Sequence, residues 1–137
     1  MLFRSQFAAD GTGWEGWANF PRERQRFVDL VRHTQAQGVV MLSGDMHYGE
    51  ISRWDAGTAY PLWDLTSSGL TEVWDVPTPN RQRVAGVLAE PNFGVVDLVF
   101  SGAAGRVELS VRDVQGQVRL RQDLALQTLR AAPVLSQ

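Results

Sequence analysis

Apolar and polar positions along this chain fall into blocks that predict its elements one after another. Between Pro21 and Gly38, Phe27, Leu30, Val31 and Thr34 recur at helical spacing while Arg22, Glu23, Arg26, Asp29 and Arg32 cover the remaining surface. That spacing predicts an amphipathic helix. Pro21 suits its first position, where a missing N–H costs nothing, and Gly38 suits the position just past its end. Val39 to Leu42 then form a continuous apolar run too short for a second helix. Such a run reads as a strand buried on both faces and central in its sheet. Ile51 to Trp54 and Ala59 to Leu65 read as two further strands around a turn at Asp55 to Thr58, where Gly57 can supply a positive φ.

From Thr66 to Pro91 the pattern breaks up around three prolines, Asn80 and two glycines, and a loop of that length is usually functional or disordered. Phe93 to Phe100 is again an apolar strand. After a turn at Gly102 to Gly105, Val107, Leu109 and Val111 alternate with Glu108, Ser110 and Arg112, the signature of a half-buried strand. Val114 to Gly116 turn the chain back into Gln117 to Leu126, completing a hairpin. Residues from Gln127 onward read as a frayed end.

Composition narrows the classes. At 137 residues, with 44% hydrophobic and 20% charged positions, the chain fits one ordinary globular domain. A formal net charge of -2 offers no basic surplus to attract nucleic acid or an acidic membrane. There is no cysteine, which excludes disulfides, thiolate metal sites and cysteine nucleophiles, so any metal must use oxygen and imidazole nitrogen. The apolar runs are too short to span a membrane. The opening MLFRSQFAADG is interrupted at Ser5 and Gln6, where a secretory signal needs an unbroken apolar core, so no export signal is expected.

Helix, buried strand and polar loop in that order is the arrangement in which open α/β sheets place ligands beyond a strand's carboxyl end, which directs attention to SGDMHYGE. Asp45 and His47 lie two apart, so in an extended backbone both side chains point to one side and can converge on a cation. Glu50 could orient His47, although solvation is the plainer reading. Thr66, Ser67, Ser68 and Gly69 suit either a phosphate-binding nest or a simple turn. Trp14, Trp17, Trp54, Trp63 and Trp74 suit core anchors first and pocket walls second. His33 reads as exposed. The arginines read as a solvated face, with Arg53 and Arg81 the ones to test for proximity to the loop.

Four segments, WANFPRERQRF, SGDMHYGEIS, YPLWDLTSSGLT and NFGVVDL, resemble in the same order those of the PhoD-like metallophosphatases, the alkaline phosphatase D group of the calcineurin-type phosphoesterases. The resemblance covers roughly residues 14 to 100. It implies an α/β (α+β) fold, with residues 1–137 forming a single partial domain: the C-terminal, β-rich half of a metallophosphatase-type β-sandwich flanked by helices. It also implies a metal-dependent phosphatase or phosphodiesterase acting on phosphate esters with calcium, iron, manganese or zinc. In the wider superfamily the last metal-binding block reads G-H-x-H, and here Asp45 replaces the first histidine. By that resemblance Asp45 is a metal ligand, His47 is a ligand or a catalytic contact to the phosphate, and Ser67, Ser68 and Tyr48 are contacts to the ester.

Asp45-Met46-His47 also spells D-x-H, the superfamily's opening block, but no G-N-H follows and there is no histidine after His47. Only 44 residues precede Asp45, and they contain neither D-x-H nor G-N-H. The expectation is therefore a fragment with half a metal site, inactive or weakly active alone. The alternative is a non-catalytic binding or assembly module that keeps half the fold and associates with itself through an exposed sheet. Members of the family are commonly secreted or periplasmic.

Overall fold

Helix α1 spans Pro21–His33, with Pro21 in its first turn, Glu23 near its N-terminus and Arg32 and His33 near its C-terminus, charges that complement the helix dipole. The computed structural model describes residues 1–101 and 104–131. Its strands are β1 (Val40–Ser43), β2 (Gly49–Trp54), β3 (Leu62–Ser67), β4 (Arg83–Leu88), β5 (Asn92–Ser101), β6 (Ala104–Asp113) and β7 (Val118–Ala125). They form a mixed sheet in the order β1-β3-β2-β4 and an antiparallel meander in the order β5-β6-β7. The class is α+β and rich in sheet. No helix among the described residues is long and apolar enough to cross a membrane.

The mixed sheet is the middle layer. Gly49, Ile51 and Leu65 on one of its faces meet the meander, where Val107, Leu109, Val111 and Leu124 complete the core. The opposite face carries Met41, Leu62 and Trp54, and is covered by α1 and the N-terminal segment. Phe3, Phe7, Trp17 and Phe27 pack there with ring centroids 4.8 to 5.7 Å apart. The face of α1 turned inward is Arg24, Phe27, Val28 and Val31, one turn earlier than the predicted stripe. Leu30 is 56% exposed. Arg24 belongs inside because its guanidinium stacks 3.7 Å from the Trp54 ring centroid and donates to the Ala8 carbonyl oxygen at 2.8 Å.

Three further expectations are corrected. β1 is the edge strand of its sheet rather than a central one, and its burial alternates. Its outer edge is occupied by residues 1–3: the Leu42 N–H donates to Met1 O and the Phe3 N–H to Leu42 O, both at 2.7 Å. The irregular stretch after Thr66 contains β4, which pairs with β2. The presumed frayed end includes a turn of 3₁₀ helix at Leu126–Leu129, whose Leu129 is fully buried and accepts a hydrogen bond from the Gly38 N–H at 2.8 Å. Gly102 and Ala103 of the expected turn, and residues 132–137, lie outside the described residues.

Beneath the segment Gln6 to Asp10 the mixed sheet presents a buried polar floor. Glu50, fully buried, accepts from Gln6 Nε2, from Asn80 Nδ2 at 2.8 Å and from Arg83 Nε. Asp64 accepts from the Phe7 and Ala8 N–H groups at 2.8 and 2.9 Å and from the Ser43 hydroxyl at 2.8 Å. The two carboxylates thus pin residues 6–8 across the sheet like a strap. Burial pushes the Asp64 carboxyl above its ordinary value, opposed by the Ala8, Ser43 and Phe7 hydrogen bonds, while the charge on Glu50 adds to the rise.

Folded Asp64 holds its proton more tightly than unfolded Asp64, so its contribution is full below the ordinary carboxylate value and is lost as pH rises through the folded value. Asparagine can still accept from both backbone N–H groups. Urea midpoints of the wild type and Asp64→Asn should therefore diverge in favour of the variant as pH rises above the ordinary carboxylate value. A difference independent of pH would show that Asp64 titrates alike in both states.

Candidate functional site

The loop between β1 and β2 is tied down at both ends. The Gly44 N–H donates to the Arg4 carbonyl oxygen at 3.0 Å, and the His47 N–H donates to Ser68 Oγ at 2.9 Å. Its backbone is not the extended one the spacing suggested. Asp45 and His47 both adopt left-handed conformations, at φ 76° and 56°. Side chains other than glycine occupy that region at a cost, Asp and His being among the more tolerant. Met46 between them is 3% exposed and forms part of the core. Asp45, Met46 and His47 all line one surface cleft of about 270 Å³ together with Trp14, Glu15 and Trp74, Met46 forming its largely buried floor.

The two side chains have different surroundings. Asp45 accepts from the Ser5 hydroxyl at 3.2 Å and lies 3.8 Å from Arg4 Nε. His47 Nδ1 is shielded from solvent without a hydrogen-bond partner, its nearest carboxylate being Glu72 Oε2 at 3.6 Å, too far for a hydrogen bond. The loop is also joined to the segment after β3, since the Trp74 N–H donates to the His47 carbonyl oxygen at 2.9 Å. The His47 and Trp74 rings lie 5.9 Å apart, and Trp74 packs on Trp14 at 4.9 Å.

The remaining candidates divide. Ser68 holds the loop by accepting from the His47 N–H. Ser67 donates to Asn92 Oδ1 at 2.9 Å and borders a different recess, beside Leu42 and Gly94. Tyr48 is fully buried and its hydroxyl is engaged with Thr78 at 2.8 Å, so it cannot contact an ester at the surface. Thr66 belongs to the polar floor. Glu50 is neither solvated nor a partner of His47, its acceptors being taken by Gln6, Asn80 and Arg83. Arg53 pairs with Asp55 at 2.8 Å and Arg81 with Asp10 at 3.4 Å, which leaves Arg4 as the cation beside the loop. Trp17, Trp54 and Trp63 pack against the core, whereas Trp14 and Trp74 are cleft walls. His33 is exposed, its Nδ1 2.7 Å from the Asp29 carbonyl oxygen.

Sequence reasoning missed Arg4, Ser5 and Glu72 as neighbours of the loop. No periodic signal marks them, because they reach it from irregular segments. In kind, an oxygen and a nitrogen donor suit a divalent cation. In number they fall short: among the described residues no three His, Asp or Glu side chains come together as a metal-binding group, whereas such ions take several protein ligands each. Compared with protein-family models, with curated proteins and with solved structures, the chain matches none.

Proposed function

We propose that this chain forms one side of a metal-dependent phosphoester-hydrolysing site of the PhoD-like kind, with Asp45 and His47 as donors to a cation whose other donors come from polypeptide outside these 137 residues. The observation that carries the reading is the loop itself. Two residues of suitable chemistry are held in unfavourable left-handed conformations, and both border one cleft, with the largely buried Met46 between them. Strain of this sort is concentrated at functional sites. The partnerless His47 Nδ1 is a second support, since a shielded imidazole nitrogen without a hydrogen bond is costly unless something binds there. The four segments similar to the PhoD-like group, met in the same order, supply the reaction class.

Within the chain, Ser68 fixes the His47 backbone and Trp74 packs beside its ring. A metal ion, when bound, would polarise the phosphoryl oxygens. Because the donor set is too small, the chain alone should bind manganese or calcium only weakly and turn over an aryl phosphate or a bis-aryl phosphodiester barely at all. Robust turnover by this chain, lost in Asp45→Asn, would show that its donor set is complete.

A second reading, a binding module that associates through an open sheet, is favoured by one observation. A largely apolar groove of about 520 Å³ lies between α1 and β5 along the β1 edge. There Leu30 and Leu98 are 56% and 61% exposed, side by side on one apolar surface rather than scattered singly. Sedimentation separates the two: association of the chain that Leu98→Asp abolishes supports the module, and a monomer at all concentrations counts against it.

A further inference from the structure

The Trp14–Trp74 pair is a partition with a cleft on each side. On one side lies the Asp45–His47 cleft. On the other is a second cleft of about 430 Å³, bordered by the same two indoles together with Asp75, Val76, Pro77 and Pro79. Thr12 and Thr78 complete its lining, so it is aromatic and aliphatic with two hydroxyl residues and, among the described residues, one charged residue, Asp75; no arginine or histidine borders it. The two indole planes meet at 58° with centroids 4.9 Å apart, so they form a wedge rather than a closed stack.

Indole faces attract cations through their ring quadrupole, and alkylated ammonium groups suit them best because little hydration is lost on contact. A neutral apolar group would gain nothing from Asp75, and an anion would be repelled by it. We propose that the cleft bordered by Trp14, Trp74 and Asp75 binds the alkylated ammonium group of a small molecule. Its position also gives it a role, which rests on the phosphoester reading above: the alcohol of the ester carries the ammonium group. The Trp74 N–H bond to the His47 carbonyl oxygen at 2.9 Å keeps the two clefts in register. The Asn19 Nδ2 bond to the Trp14 carbonyl oxygen at 2.9 Å and the Trp14 N–H bond to Thr12 Oγ1 at 3.2 Å hold the other indole in place.

The test is a titration of the full chain with choline, followed on the indole N–H resonances, with 3,3-dimethylbutan-1-ol as the uncharged match in shape. Choline should shift the Trp14 and Trp74 signals saturably, with a dissociation constant of the order of millimolar, as expected for exposed cation–π contacts. The alcohol should need roughly tenfold more. Trp74→Leu should weaken choline by about tenfold and Asp75→Asn by about threefold, the latter leaving the alcohol unaffected. Equal affinity for choline and the alcohol, shifts confined to Trp17, Trp54 or Trp63, or no shift at all would overturn the proposal. Asp45→Asn should leave choline binding unchanged, so failure of the metal-site reading is distinguishable from failure of this one.

Discussion

Glu50→Ala should lower stability by about 3–5 kcal/mol, the range for breaking a buried charge pair from one side. The loss is large because three donors lose a carboxylate acceptor at once. Arg83 keeps only its bond to the Thr78 carbonyl oxygen, and Gln6 and Asn80 keep Thr66 and Ser52 while each loses its carboxylate partner. Against a typical domain stability of about 5–15 kcal/mol, the melting temperature should fall by very roughly 10–20 °C. Glu50→Met combined with Arg83→Met should recover most of that, because replacing both partners with apolar groups of similar size is often neutral. A loss below about 1 kcal/mol for Glu50→Ala would mean that the carboxylate is hydrated.

Gly49→Ala should destabilise by about 1–3 kcal/mol, the range for overfilling a packed core. Gly49 opens β2 and faces the meander. A Cβ there would stand 2.5 Å from Val111 Cγ1 and 3.1 Å from Asn92 Oδ1. Neither neighbour can retreat easily, since Val111 is fully buried in β6 and Asn92 is hydrogen-bonded to Ser67 and Glu90. Adding Val111→Ala removes both offending methyl groups, so the double variant should unfold at less denaturant than the wild type but show favourable coupling between the two changes. Strict additivity of the two losses in urea would place the clash elsewhere. Because Gly49 directly follows the Asp45–His47 loop, the single variant should also broaden or shift the His47 amide signal.

The parts of the fold that the sequence expressed well are those whose environment is set by near neighbours. Val107, Leu109 and Val111 are buried as their alternation implies, although Glu108 and Ser110 between them are buried too, so this stretch of β6 is covered on both faces rather than half-buried. The hairpin that follows is present as read. What stayed hidden depends on distant chain. Glu50 and Ser52 alternate with Gly49 and Ile51 just as solvent-facing residues would, and only the arrival of Gln6, 44 positions away, turns that face into an interior. β1 reads as central because Val39 to Leu42 are all apolar, yet its outer side meets residues 1–3 and the open groove. β4 was obscured by Gly86 in its middle and by Pro77, Pro79 and Pro91 on either side, residues that weaken a strand pattern.

The candidate site was legible in composition but not in geometry. Asp45 and His47 stood out as donors at a strand's end, and both border the cleft. Their left-handed backbone was invisible because neither residue is glycine, and the extended path assumed for them does not occur. Trp14 and Trp74 could not be told from the three tryptophans that serve the core, since the difference lies in what covers them rather than in any local pattern.

The strap over the polar floor also has a temporal consequence. Residues 6–10 are synthesised long before their partners Asp64, Asn80 and Arg81, which follow 56 to 71 positions later. By contrast, β5, β6 and β7 pair only with immediate chain neighbours. Distant contacts close late because the entropy of a long loop must be overcome first. When the complete chain refolds, the meander should therefore lead and the strap follow, so that Glu50 and Asp64 stay in water until Gln6 to Ala8, Asn80 and Arg83 reach them.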